Sequence, residues 1–152
     1  MGKIEWDDSF SVKNTEIDDQ HKKWISIYNE MHECLTNNDC SDFDSLTRKI
    51  IKRMQNYTSY HFNFEKNYMA KMGYPGIVDH LRCHKDFDSK IYNLARDARE
   101  GRIVLNTEVI KILKEWLLDH ILVEDQKYNL YLALQTTGKT LIANNDSNPS
   151  TG

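Results

Sequence analysis

Five of the six histidines in this 152-residue chain join two carboxylates in a pattern that suits a two-metal site. They are His21, then His61 with Glu65, His80 with His84, and His120 with Asp125. Side chains four residues apart on a helix share one face, one turn apart. His61/Glu65 and His80/His84 therefore each aim two donors at one spot. Nitrogen and oxygen donors without thiolate suit iron, zinc, copper or manganese. Seven such donors are too many for one ion and about right for two. The last pair breaks the spacing rule, because five residues of regular helix turn through about 140 degrees. If both residues serve one site, a π-turn that inserts one residue would bring them into line. The alternative is that Asp125 reaches round from the flank with its full side-chain length.

The elements that must position these donors are helices. Ile17, His21, Trp24, Tyr28, Met31 and Leu35 recur in fours and threes, and Asn37-Asn38-Asp39 ends that stripe. A second stripe runs Leu46, Ile50, Met54, Tyr57, His61, Glu65, Tyr68 and Met72, with Ser41 as its N-cap, Gly73 as its C-cap and Pro75 barring continuation. A third carries Ile77, His80, His84, Phe87, Ile91, Leu94 and Ala98 and breaks at Glu100-Gly101-Arg102. Thr107 starts the fourth, which holds Val109, Leu113, Trp116, Leu117, His120, Ile121, Tyr128 and Leu132. Four long helices with short links predict an all-α, up-down-up-down four-helix bundle. Trp6, Phe10 and Val12 precede it without a clear period and read as an N-terminal arm packed on the bundle. The domain spans 1–137, and 138–152, rich in Asn, Ser, Thr and Gly, reads as a disordered polar tail. With antiparallel neighbours, all seven donors fall toward one end of the bundle.

A single histidine on an apolar stripe is ordinarily a hydrogen-bonded core residue. Five on converging stripes beside two carboxylates are different, because unpaired buried carboxylates and imidazoles are costly and a metal takes their lone pairs. His32 lies off the stripe and reads as a surface histidine. Aromatic residues at helical spacing, such as Trp24, Tyr28, Tyr57 and Tyr128, read as core rather than as redox relays.

Bulk properties exclude other classes. The net charge is -3 and the pI about 6.1, so no nucleic-acid footprint is visible. No apolar run reaches the roughly 20 residues of a membrane span. The N-terminus lacks an apolar signal core, and Cys34, Cys40 and Cys83 are odd in number and unpatterned, so a cytoplasmic chain with reduced thiols is expected. An initiator Met before the arm favours a free-standing protein.

The chain resembles the hemerythrins, most closely the single-domain bacterial ones. The resemblance is carried by Ile17-Asp18-Asp19-Gln20-His21, by His61-Phe62-Asn63-Phe64-Glu65 with Met69, and by Tyr74-Pro75 followed by His80 and His84. Trp116-Leu117 followed by His120, Ile121 and Asp125 completes it. It covers roughly Ile4 to Leu134, and all seven ligand positions match in type and order. It implies two non-haem iron ions with a bridging oxo or hydroxo group, and O2 as ligand. His80, His84 and His120 would hold one iron, His21 and His61 the other, and Glu65 and Asp125 would bridge. The second iron then keeps an open position for O2. Phe62, Trp116, Leu117 and Ile121 would form a dry pocket over it.

Reversible O2 binding by a carrier, store or sensor is therefore expected, with no enzymatic activity. The competing reading is a di-iron oxidase or peroxidase, or a protein that handles iron or nitric oxide. Oxidases on related bundles use carboxylate-rich sites with Glu-x-x-His motifs, whereas this chain is imidazole-rich and has none. A signalling or redox partner is not legible.

Overall fold

Why the chain forms helices where it does is visible at their ends. The computed structural model describes residues 2–37 and 42–146, with the side chains of 139–146 excepted. Helix α1 covers Thr15–Thr36, α2 Phe43–Met72, α3 Ile77–Arg99 and α4 Thr107–Asp119. Asn14, Asp42 and Asn106 cap α1, α2 and α4, each accepting the backbone N–H of the third residue of its helix. The predicted cap Ser41 lies outside the described residues, and Asp42 performs that role. Helix α2 ends where Gly73 enters the left-handed region at φ 65°, and the Tyr74 N–H bonds the Met69 carbonyl at 3.1 Å.

Helix α4 does not stop at its last α-helical residue. It passes through a π-helical turn, His120–Glu124, into α5, Asp125–Asp146. The Asp125 N–H reaches back five residues to the His120 carbonyl. The regular alternative, with Asp125 reaching round from the flank, is thus ruled out. Helix α5 continues through Gly138 to Asp146, where the sequence predicts a disordered tail. An established helix extends at little cost per residue, and no proline intervenes before Pro149. The remainder of that predicted tail, 147–152, lies outside the described residues.

The four helical rods pack as an up-down-up-down bundle, with no strands among the described residues. The arm is fastened to α1 by reciprocal bonds between Ile4 and the Asn29 amide at 2.8 and 2.9 Å. Asp18 accepts from the Val12 N–H and the Ser11 hydroxyl. Two apolar clusters result. The larger gathers Trp24, Tyr28, Met54, Phe62, Phe87, Leu113, Leu117 and Ile121. The smaller holds Val12, Ile17, Met69 and Tyr128 at the other end. None of the described helices is long and apolar enough to cross a membrane.

The α2 stop sets where α3 begins, and so where His80 sits. Space is open around a Cβ at Gly73, so Gly73→Ala meets only the backbone cost of the left-handed region. A loss of about 1–2 kcal/mol is expected, read as a lower urea midpoint at unchanged slope, with metal stoichiometry unaltered.

Candidate metal centre

Each of the seven donors is almost fully buried, and their inner atoms converge. His61 and Glu65 project from one face of α2, and His80 and His84 from one face of α3. His21 comes from α1. The π-turn adds the residue that lets His120 and Asp125 point the same way. All five imidazoles turn Nε2 inward. His21 Nε2 lies 2.8 Å from Asp125 Oδ2, and His61 Nε2 lies 2.9 Å from Glu65 Oε2. His80 Nε2 lies 2.9 Å from Glu65 Oε1 and 3.2 Å from Asp125 Oδ1. His120 Nε2 stands 3.0 Å from Asp125 Oδ1, and His84 Nε2 3.6 Å from Glu65 Oε2.

These donors fall into two overlapping groups. One is His80, His84 and His120 with both carboxylates; the other is His21 and His61 with the same two carboxylates. Several inner atoms make no hydrogen bond despite their closeness, among them His80 Nε2, His84 Nε2, Glu65 Oε1 and both Asp125 oxygens. Lone pairs face lone pairs, an arrangement that burial punishes unless a cation sits between them. Donors bonded to one ion at about 2.0–2.2 Å and at right angles lie about 3 Å apart, which matches the distances here. The residues fit a metal pair.

Without metal, protons balance the charge. Burial raises Glu65, yet His61, His120 and His80 hold its carboxyl well below the usual range. Burial and the charge of Glu65 raise Asp125, but His120 and His21 keep it lowered. Burial works against protonated His120, but Asp125 and Glu65 prevail and push it up to about 10. Burial likewise opposes His80, and bonds to Asp125 and Glu65 raise it to about 9. At His61 and His84 burial wins, and both are lowered.

Three neighbours of the cluster were read from the sequence only as core or not at all. Gln20 is buried and sets Oε1 2.8 Å from His61 Nδ1. A proton on Nδ1 is thereby held, and the Nε2 lone pair is left facing the cluster. Trp24, fully buried, packs 5.2 Å from the His61 ring and 5.6 Å from His120. Tyr128 is fully buried 5.6 Å from His80. Trp24 and Tyr128 each stand one turn beyond a donor, His21 and Asp125, which is the signal that could have singled them out. Of the pocket residues named from the sequence, Phe62 stacks on His84 at 3.8 Å, and Leu117 and Ile121 are buried in the larger cluster. Trp116 is half-buried, beneath Lys90 at 5.6 Å. With Cys83, Phe87 and His120 it lines a surface groove of about 540 Å³.

The fold and the cluster define a four-helix-bundle protein with a buried histidine–carboxylate centre able to hold metal. The family model described as the hemerythrin HHE cation binding domain matches residues 12–131, and the chain belongs to the hemerythrin family. It is 31% identical to a bacteriohemerythrin of Stenotrophomonas maltophilia, over 84% of this chain and 80% of that one. It is 32% identical to a myohemerythrin of Sipunculus nudus, over 81% of this chain and 88% of that one. A crystal structure of wild-type hemerythrin has the same fold, with a TM-score of 0.75 at 24% identity, covering 83% of this chain and 95% of that one.

Two predictions follow from this geometry. Replacing Gln20 with Leu frees the His61 ring, and metal affinity should fall about 10–100-fold, measured by competition with a chelator. Metal must also displace the protons of His80 and His120, which the metal-free site binds throughout neutral pH because their pKa values are raised. Loading near pH 7.5 should release about two protons from these histidines, with more from any bound water that becomes a bridging hydroxide, and affinity should rise with pH. Calorimetry in buffers of different ionisation enthalpy checks both the count and the sign.

Proposed function

We propose that this chain binds O2 reversibly at a non-haem di-iron centre built within residues 1–137. The observation that carries the reading is the pair of overlapping donor groups that share Glu65 and Asp125. His80, His84 and His120 would hold one iron, His21 and His61 the other, and the two carboxylates would bridge. A reduced iron pair supplies the two electrons that reversible O2 binding draws on.

The rest is done by the chain. With three imidazoles in one group and two in the other, the second ion would have one protein donor fewer and would keep a position for O2. That position lies on the better-protected side. His21 and His61 are completely buried, while His84 and His120 keep a slight exposure and His120 borders the groove. Gln20 orients His61 there, and Trp24 covers it. Phe62, Leu117 and Ile121 exclude water on the apolar side and need no polar partner of their own. Trp116 lies apart from that position, at the outer groove beside His120.

Binding without turnover fits this donor set. Five neutral imidazoles and two carboxylates give less anionic support to high-valent iron than the carboxylate-rich oxidase sites do. The membership in a family that includes bacterial and animal oxygen-binding proteins supports the same reading. The odd number and irregular spacing of the cysteines suit a cytoplasmic protein.

The test is elemental analysis with absorption spectroscopy on the reduced protein before air, after air and after degassing. Two irons per chain and a visible band that appears with O2 and vanishes on degassing are expected. A protein that takes up zinc alone, or is oxidised without such a band, would overturn the proposal. Leu117→Ala should leave a cavity, cost about 2–5 kcal/mol of stability and speed autoxidation at unchanged iron content. Equal decay rates for variant and parent would make Leu117 a packing residue only.

A further inference from the structure

Tyr128 holds a hydroxyl that nothing described so far employs. The side chain is fully buried, and its Oη makes no hydrogen bond. A tyrosine buried to this degree ordinarily finds a partner for its O–H, and an unsatisfied buried hydroxyl is costly. Its surroundings show where that partner lies. Tyr128 stands three residues beyond Asp125 on α5, on the same face one turn along. Its ring packs 5.6 Å from the His80 ring, and His80 Nε2 touches both carboxylates. The other neighbours are aromatic or aliphatic: Tyr68 at 5.7 Å, Tyr74 at 6.3 Å, and Val12, Ile17 and Met69 of the smaller cluster. On the site side, Glu65 Oε1 is buried, with His80 Nε2 2.9 Å away, and a carboxylate oxygen has a second lone pair to offer. The Tyr128 hydroxyl lies where the apolar cluster borders the metal centre, close enough for the Asp125 and Glu65 carboxylates to act on it.

We propose that Tyr128 is a positioning residue whose hydroxyl donates a hydrogen bond to the Glu65 carboxylate and thereby tunes the electron richness of the metal pair. This rests on the di-iron reading above. A hydrogen bond to a carboxylate ligand draws charge out of it, and partners of this kind tune a metal through its ligand. A less electron-rich carboxylate stabilises ferric iron less, so the reduced pair is favoured. The ring forms a wall on the α5 side of the centre, and the hydroxyl is its one polar point.

Two variants of the iron-loaded protein test this. Tyr128→Phe keeps the ring and removes only the hydroxyl. Replacement of Tyr128 by 3-fluorotyrosine keeps the shape and makes the hydroxyl a stronger donor. The primary readout is the midpoint potential of the iron pair, which needs no O2 and therefore stands if the O2 reading fails. Tyr128→Phe should retain full iron content, lower the potential and, where O2 binds, speed autoxidation about three- to ten-fold. The fluorotyrosine protein should shift the potential upward. Opposite signs for two substitutions of nearly equal shape are not what a packing role produces. An unchanged potential in both variants, or shifts of the same sign, would overturn the proposal. If Tyr128→Phe does not fold, the fluorotyrosine protein decides alone: a raised potential supports the hydrogen bond, and a potential equal to the parent's refutes it.

Discussion

Two carboxylates, Glu65 and Asp125, lie at zero exposure in a small helical bundle, and among the described residues neither has a lysine or arginine beside it. Burying an ion without compensation costs far more than a domain's net stability. Everything else in the structure answers that constraint. Five imidazoles from four helical rods converge on the two groups, and each rod is timed so that its histidine arrives at the same level. Charge balance explains why the site tolerates two states. Protons on imidazoles offset the carboxylates when metal is absent, and cations do so when it is present.

The asymmetry of the donors is as consequential as their number. Both carboxylates belong to both groups, so the difference between the groups is one histidine. The poorer group is fully buried, beside Gln20 and Trp24 where α1 meets α2. The richer group lies toward the groove, which His120 borders. A site that must admit a small apolar gas but not water gains from this placement, since gas diffuses through packed side chains whose fluctuations exclude polar solvent.

Much of this was legible in the sequence, because helical spacing converts directly into direction. The stripe containing His61, Glu65 and Met72 and the stop at Gly73 follow from local rules, and so does the irregular spacing of His120 and Asp125, although the choice between a π-turn and a reach from the flank does not. What spacing does not convey is contact between distant residues. Gln20 sits one place before a donor, on a polar stretch, and only the packing of α1 on α2 brings it to His61, 41 positions away. Tyr128 fits an apolar stripe like any core aromatic, and its hydroxyl gains meaning only from what it faces. Capping at Asp42 rather than Ser41 reflects a choice between adjacent capping residues that propensity does not separate. The continuation of α5 past Gly138 shows a formed helix overriding a composition that, taken alone, reads as unstructured.

The π-turn also divides the interior. Before it Val109, Leu113 and Leu117, and within it Ile121, belong to the larger apolar cluster; after it, Tyr128 belongs to the smaller one. Between the two lies a layer of buried imidazoles and carboxylates with little hydrophobic adhesion of its own. The bundle is therefore two oily cores joined through a polar floor, and ions clamped in that floor tie all four rods at one level. Cooperativity then becomes a property of the loaded protein: with metal the bundle melts as one unit, and without it the end holding Val12, Ile17, Met69 and Tyr128 is free to open by itself, ahead of the rest.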